Sequence, residues 1–211
     1  QIELRVYDEG VAFRYHLTEG QAAKKWTIKQ ERSEFRFVQG SMAYPIYSTE
    51  QTFSTTPVSI NEMKSGAHIP LTVKLNDCFA SVLEANVENY PRMRLGKTKD
   101  GVLVTQLLGS AEISAPFASP WRVILLGTNE GKLMENEYLV LNLNPPCAIE
   151  DTSWVVPGKT ISDHGNVGLN TAELKKVVDF ASASGFKYLQ LDWGWYGTEW
   201  TWTDAERKTF R

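Results

Sequence analysis

An aspartate flanked by aromatic rings ends an apolar run in the last part of the chain. The run is Phe186–Leu191, and it is followed by Asp192 and by Trp193 and Trp195, which stand on either side of a glycine. Indole rings stack on apolar surfaces, and a carboxylate accepts hydrogen bonds from hydroxyl groups. Together these residue types indicate a position that binds a sugar. The structural alternative is that Asp192 caps a backbone turn while the tryptophans pack against neighbouring elements.

A second polar segment, Lys159–His164, follows the short apolar run Ser153–Val156. It ends in Asp163 and His164, whose side chains are able to bond to sugar hydroxyl groups. A histidine in such a position is more often an ordinary loop residue, so both interpretations stay open.

Glu84 is a third candidate, because it stands inside an apolar run between Leu83 and Ala85. A charged residue seldom lies in the middle of a strand unless it is paired or binds a ligand. The alternative is a glutamate at an ordinary strand edge. Arg122, in the segment Ser-Pro-Trp-Arg, is predicted to be a structural ion-pair partner, and Trp121 is predicted to pack at a domain interface.

The elements before residue 145 are predicted to be β-strands. Ile2–Tyr7 and Val11–Tyr15 alternate apolar and polar residues on either side of Asp8-Glu9-Gly10, which is the pattern of a hairpin. Further short strands are predicted at Glu34–Val38, Ile69–Leu75, Phe79–Ala85, Val102–Leu108 and Arg122–Gly127. Turn residues separate these runs, and no helical period is evident before residue 165, so we expect an antiparallel sandwich or barrel.

The character of the sequence changes at residues 142–151, where two adjacent prolines cannot continue a strand ladder. We therefore predict a β-sandwich domain over 1–144, whose early strands are missing, and a linker over 145–152. A second domain is predicted over 153–211.

The second domain is predicted to begin with a strand–helix–strand unit. Ser153–Val156 is the first strand, Asn170 is a helix N-cap with Glu173 at the third helical position, and Gly185 ends the helix. Phe186–Leu191 is the second strand, and such a crossover implies a parallel pair. In a (β/α)8 barrel the active site lies at the C-terminal ends of the strands, where Asp192 would stand. Since that barrel needs about 250 residues, it would be truncated here.

Composition excludes two classes of partner. The chain has 211 residues and a formal net charge of −3, and its basic residues are dispersed, so we expect no nucleic-acid partner. No stretch approaches the length of a membrane span.

Cys78 and Cys147 are too few for a disulfide framework, and two buried free thiols are the simpler interpretation. Gln1 begins directly in a strand-like pattern, which suggests that the N-terminus has been cut.

Short motifs run in a fixed order through nearly the whole sequence. They are Arg5–Tyr15, Glu84-Ala85, Tyr90-Pro91 with Met93, Ser119–Val123, Asn142–Pro146, Asp151–Trp154, Pro157–Lys159, Asn170-Thr171, Asp179–Ala181, Gly185, and Leu191-Asp192 with Gly194-Trp195. Each motif alone is weakly specific. Their order and spacing together resemble glycoside hydrolase family 97, whose members are α-glucosidases and α-galactosidases.

This resemblance implies an N-terminal β-super-sandwich followed by the first βαβ unit of a (β/α)8 catalytic barrel. It implies a fragment of a calcium-assisted hydrolase that acts on α-linked oligosaccharides and is periplasmic or secreted. It assigns Glu84 to the calcium ion and places the acid and base carboxylates on later strands, so that no catalytic residue lies in this chain. Asp192, Trp193, Trp195, Asp163 and His164 would line the substrate.

Residues 161–164 depart from the tryptophans that many family members carry there, which puts the usual substrate contacts at this strand in doubt. The alternative function is a non-catalytic carbohydrate-binding β-sandwich module.

Overall fold

The computed structural model describes residues 1–18, 25–48, 56–162 and 170–192. The chain divides into two compact units, Gln1–Pro146 and Cys147–Arg211. Most described elements of the first unit are antiparallel strands, which confirms the predicted mainly β class. Among the described residues, no helix is both long and apolar enough to cross a membrane.

The first unit contains thirteen short strands in its described residues. They are β1 (Ile2–Tyr7), β2 (Gly10–Leu17), β3 (Lys25–Ile28), β4 (Glu34–Phe35), β5 (Met42–Tyr44), β6 (Val58–Ser59), β7 (Leu71–Lys74), β8 (Phe79–Ala85), β9 (Met93–Lys97), β10 (Leu103–Leu107), β11 (Ala111–Ser114), β12 (Phe117–Ala118) and β13 (Trp121–Gly127). The large sheet has the order β1-β2-β13-β8-β7-β5-β6, with β12 paired to β2. A smaller sheet has the order β4-β10-β9, and β11 pairs with β3.

The hairpin of β1 and β2 shows how local sequence sets the register. Val6 pairs with Val11 and Tyr7 with Gly10, so Asp8 and Glu9 form the turn that the sequence predicts. Gly10 has φ +150°, and a Cβ there would collide with the backbone carbonyl of Ile124 on β13. Only glycine permits this close approach of β2 to its neighbour.

The central strands of the large sheet are covered on both faces, whereas Ile2, Leu4 and Val6 of the edge strand β1 are exposed. One face packs against the small sheet through a core of aliphatic and aromatic side chains, which includes Leu71, Val73, Val82, Phe35, Met93, Leu95 and Leu103. The other face packs against two short helices, α1 (Glu130–Glu135) and α2 (Tyr138–Asn142), through Ala12, Ala85, Trp121, Val123, Leu125, Leu133, Leu139 and Leu143. Full burial of one such aliphatic side chain stabilises the fold by about 1.5–3 kcal/mol.

Two short helices, α1 and α2, lie before residue 165, where the sequence shows no clear helical period. With six and five residues they are too short to display a helical period. The start of α1 is nevertheless encoded locally, since the side chain of Asn129 accepts a hydrogen bond from the backbone N–H of Lys132. Six short strands were also not predicted, namely β3, β5, β6, β9, β11 and β12.

The second unit contains a parallel pair of strands, as predicted. Strand β14 (Thr160–Ser162) precedes helix α3 (Thr171–Ala183), and strand β15 (Tyr188–Gln190) follows it. The two strands pair in parallel. The side chain of Asn170 accepts a hydrogen bond from the N–H of Glu173 at 3.0 Å, and Gly185 has φ +72°, so both predicted helix ends are confirmed. That this pair begins a (β/α)8 barrel stays a prediction.

The first parallel strand is not where the sequence placed it. Ser153–Val156 was expected to be that strand, but its residues form a turn in which Val155 N–H bonds to Thr152 O at 3.0 Å. Trp154 in this turn is 68% exposed. The strand lies at β14 instead, because only there does the backbone meet Tyr188–Gln190 in register. Apolar composition alone did not distinguish the two segments.

Candidate functional site

Two carboxylates and one guanidinium form a buried cluster in the first unit. Arg122 is the second residue of β13 and stands opposite Glu84 of β8 in the sheet register. Glu31 approaches from the segment between β3 and β4. The side chains of Arg122, Glu31 and Glu84 are 0%, 6% and 8% exposed. Strand alternation therefore directs Arg122 and Glu84 to the same face, which confirms the ion-pair role predicted for Arg122.

The planar guanidinium group of Arg122 forms hydrogen bonds with both carboxylates. Its Nε donates to Glu31 Oε1 at 2.7 Å, and its Nη2 donates to Glu31 Oε2 at 2.5 Å. Its Nη1 donates to Glu84 Oε2 at 2.8 Å. A two-bond contact of this kind between arginine and a carboxylate is short, strong and geometrically specific.

Further donors fix the Glu31 carboxylate. Ser33 Oγ donates to Glu31 Oε1 at 2.7 Å, and the Tyr90 hydroxyl donates to Oε2 at 3.3 Å. Thr105 Oγ1 donates to the backbone carbonyl of Glu31 at 2.8 Å. Glu31 was not identified from the sequence, because its main partner, Arg122, is 91 residues away and no local pattern marks the residue.

Glu84 is held less firmly. The backbone N–H of Met93 contacts both of its carboxylate oxygens at 3.2 Å, and Arg122 bonds to only one of them. Burial raises the pKa of Glu84 above its ordinary value, although Arg122 and the Met93 N–H act in the opposite direction. Burial and the neighbouring charge of Glu31 also raise the pKa of Tyr90 to about 12.

The cluster carries more negative than positive charge when both carboxylates are ionised. Burial tends to lower the pKa of Arg122, but the bonds to Glu31 and the charges of Glu31 and Glu84 raise it overall, so this side chain stays cationic. One guanidinium then faces two carboxylates, and burial makes the excess charge unfavourable. An additional cation beside Glu84 would relieve it.

Glu84 fits the role of one oxygen ligand of a calcium ion. A carboxylate has about four acceptor positions, and among the described residues Oε1 of Glu84 accepts only the long bond from Met93. Calcium takes about six to eight oxygen ligands. Among the described residues, no group of three or more His, Cys, Asp or Glu side chains could hold a metal ion. The calcium role of Glu84 therefore stays a prediction.

The remaining predicted residues are only partly placed. Asp192 is half-buried and follows the end of β15 by two residues. Asp163, His164, Trp193 and Trp195 lie outside the described residues. The sugar-binding role of these five residues stays a prediction.

Trp121 belongs to the core of the first unit, and its predicted packing at a domain interface stays a prediction. It is 1% exposed and belongs to the core on the helix-covered face of the large sheet. The guanidinium groups of Arg5 and Arg14 lie over its ring at 4.7 and 4.3 Å.

The two cysteines are free thiols, and Cys147 is exposed, so the expectation that both are buried is wrong.

Comparisons with known proteins agree on one family. A family model described as the N-terminal part of glycosyl hydrolase 97 matches residues 1–146. A retaining α-galactosidase of Bacteroides thetaiotaomicron is 25% identical, over 92% of this chain and 36% of its own length. A probable retaining α-galactosidase of Streptomyces bingchenggensis is also 25% identical, over 98% of this chain and 33% of its own.

A solved structure extends this agreement to the fold. A glycoside hydrolase family 97 enzyme of Pseudoalteromonas sp. strain K8, in complex with acarbose, superposes with a TM-score of 0.80 at 27% identity. The match covers 95% of this chain and 33% of that one. The chain thus spans about a third of the length of the relatives it matches.

Proposed function

The chain belongs to glycoside hydrolase family 97, and we propose from this that it forms part of an enzyme that hydrolyses α-linked galactosides or glucosides. The observation that carries the proposal is the family match over residues 1–146. Two relatives are named as α-galactosidases, and a structural relative was solved with acarbose. A periplasmic or secreted location is part of the proposal and rests on the family resemblance alone.

The role proposed for the sandwich is to support the reaction and not to carry it out. Glycoside hydrolysis commonly needs two carboxyl groups that flank the scissile bond, one as acid and one as base or nucleophile. Glu31 and Glu84 are both bonded to Arg122 and nearly inaccessible. A carboxylate pair that is buried and bonded to arginine in this way cannot flank a sugar. We therefore place the catalytic carboxyl groups on other strands, outside this chain.

Glu84 is the residue through which the sandwich would contribute to the active site. When bound, calcium would supply positive charge that stabilises negative charge near the reacting groups. Arg122 and the N–H of Met93 orient the Glu84 carboxylate from one side and leave acceptor capacity on Oε1. This arrangement supports Glu84 as one ligand supplied from the first unit.

The substrate contacts are proposed to come from the second unit. Asp192 follows β15, one of two parallel strands, and polar residues just beyond such strand ends commonly bind substrates. Its carboxylate would accept hydrogen bonds from sugar hydroxyl groups, and Trp193 and Trp195 would stack on the ring. Asp163 and His164, which follow β14, would contribute from the neighbouring strand.

A second candidate function is a non-catalytic carbohydrate-binding module. The observation that favours it is that the one buried carboxylate pair described here, Glu31 and Glu84, is bonded to Arg122 and out of reach of a substrate. In this case a sugar would bind to the chain without being cleaved.

Assays of the isolated chain test where the catalytic carboxyl groups lie. We expect no turnover of aryl α-galactoside or aryl α-glucoside by the purified 211 residues, because we place the catalytic carboxyl groups on later strands, outside this chain. Reproducible turnover that survives repurification would contradict this assignment. In the whole protein, Glu84→Gln should weaken calcium binding in a calorimetric titration, while Glu112→Gln, an exposed glutamate on β11, should leave it unchanged. Equal calcium affinity in both variants would remove Glu84 from the metal site.

A further inference from the structure

A polar groove of about 690 Å³ lies on the outer side of the small sheet. Met93, Leu95 and Leu103 point into the core, so alternation directs Arg94 and Gln106 to the opposite face. The segment before β4 forms the other wall through Lys29, Gln30 and Arg32. Most of the residues that line the groove are polar, and Val104 and Leu107 are among its apolar lining residues.

The positive charge in this groove has no free counter-charge among the described residues. Of the seven arginines in the described ranges, Arg5, Arg14, Arg36 and Arg122 form ion pairs with glutamates. The three that form none among the described residues are Arg32, Arg92 and Arg94.

Arg32 and Arg94 line the groove together with Lys29, which also lacks an ion pair in the part described. Glu31 is the only acid among the described lining residues, and its carboxylate is bound to Arg122. The groove is therefore a site of uncompensated positive charge.

Two buried polar atoms next to this groove make no hydrogen bond. They are Arg94 Nε and His68 Nε2, and they are the only such side-chain atoms found in the described residues. Burial, and then the charges of Arg94 and Arg92, hold the pKa of His68 below its ordinary value, so the imidazole lies within electrostatic range of both guanidinium groups. Buried donors are nearly always bonded in folded proteins, so the free Nε–H of Arg94 points to an acceptor that the described residues do not supply.

Two glutamine amides add donors and acceptors to the same groove. Gln106 lies across Gly96, where a Cβ would come within 2.5 Å of its Nε2, so the glycine makes room for this side chain. Gln30 and Gln106 form no side-chain hydrogen bond in the part of the chain that is described. Free amides beside free guanidinium groups suit a ligand that carries hydroxyl groups as well as an anionic group.

We propose that this groove binds an acidic saccharide, whose carboxylate or sulfate group is held by Arg94 with Arg32 and Lys29, and whose hydroxyl groups bond to Gln30 and Gln106. The inference goes beyond the proposed hydrolysis, because it concerns recognition of a sugar by the sandwich and not its cleavage. A water molecule between Arg94 and His68 would satisfy the two unbonded atoms. It would leave the charge of three cations uncompensated, so an anion fits the groove better.

The test is a calorimetric titration of the 211-residue chain with digalacturonic acid, with neutral galactobiose and inorganic sulfate as comparison ligands. We expect digalacturonic acid to bind most tightly of the three and its affinity to fall as salt is raised to about 0.3 M. Arg94→Gln and Arg32→Gln should each weaken it about tenfold, since each removes a charge-assisted hydrogen bond. Arg36→Gln removes an arginine that does not line the groove and should leave the affinity unchanged.

Proton NMR of His68 provides a second readout that does not depend on turnover. An anion bound at Arg94 should raise the pKa of His68, because it offsets the two positive charges beside the imidazole. Three results would overturn the proposal. They are no binding of digalacturonic acid at about 10 mM, equal affinity for sulfate and digalacturonic acid, or an equal loss of affinity in Arg36→Gln and Arg94→Gln. Since none of these measures hydrolysis, failure here leaves the proposed enzymatic function unaffected.

Discussion

Replacement of Arg122 by methionine is the sharpest test of the buried cluster. The variant removes three charge-assisted hydrogen bonds, two to Glu31 and one to Glu84, and leaves both carboxylates inside the fold. Since the three side chains are at most 8% exposed, water cannot screen or solvate the two remaining charges. Methionine fills a similar volume, so the main effect is the loss of charge.

The expected loss follows from that burial. Removal of one partner of a buried ion pair costs about 3–5 kcal/mol, because the other charge is left without compensation. Here two carboxylates lose their partner, so we expect a loss of stability in the upper part of that range. A typical domain is stable by about 5–15 kcal/mol, and the variant should therefore be close to unfolding.

The pH dependence of the loss identifies its cause. Without Arg122 the pKa of Glu84 should rise further, because burial and the neighbouring charge of Glu31 both disfavour its ionised form. A group whose folded pKa is raised stabilises the fold below its unfolded pKa, and this contribution is lost as the pH rises through the folded value. The variant should consequently be weakened more at neutral pH than near pH 4.5, the ordinary pKa of a glutamate.

Urea unfolding of the 211-residue chain, followed by tryptophan fluorescence and circular dichroism, measures the effect. The matched control is Arg36→Met, whose ion pair with Glu34 is exposed and should contribute less than about 1 kcal/mol. Adding Glu84→Gln to Arg122→Met should restore part of the stability by removing one stranded charge. A loss below about 1 kcal/mol, or one that does not change with pH, would refute the account of the cluster.

Three further predictions concern single residues. Tyr90 should ionise only near pH 12 in a spectrophotometric titration, a phase that Tyr90→Phe removes, and its contribution to stability should be lost as pH rises from 10 to 12; native-state ionisation near pH 10 would contradict this. Burial raises the pKa of Glu3, but bonds from His16, Arg14 and Arg5 outweigh it and lower the pKa to about 2. Glu3→Gln should therefore destabilise the fold above pH 4.5, with the loss fading as pH falls through 2, and an equal loss at both extremes would speak against it. Gly10→Ala should cost at least about 2 kcal/mol in urea unfolding, because of its φ and the carbonyl at Ile124, whereas an unchanged midpoint would show that the hairpin can relax.

The elements that were predicted correctly from the sequence are those whose ends are marked by turn or capping residues nearby. Strand β8 was predicted with the bounds that the structure shows, because its apolar run is bounded by Asn76-Asp77 at one end. The β1–β2 hairpin and helix α3 followed from a turn signal and from an N-cap with a glycine stop. Each of these signals acts within a few residues of the element it defines.

The features that sequence missed depend on contacts between distant segments. Glu31 acquires its role only when β13 brings Arg122 beside it, and no pattern near residue 31 encodes that meeting. The position of β14 is likewise decided by pairing with β15 and not by the more apolar segment Ser153–Val156. The groove around Arg94 was not predicted, because its positively charged residues are distant in sequence and only the fold brings them together.

The most direct test of the central claim is the rate of aryl α-galactoside and aryl α-glucoside hydrolysis by the product of the whole reading frame. An aryl β-galactoside is the control substrate, since it carries the same sugar in the other anomeric form. Membership of glycoside hydrolase family 97 predicts turnover of at least one α-substrate and none of the β-substrate. A purified, folded product that binds α-linked oligosaccharides but cleaves neither α-substrate would contradict the enzymatic function and favour the binding module.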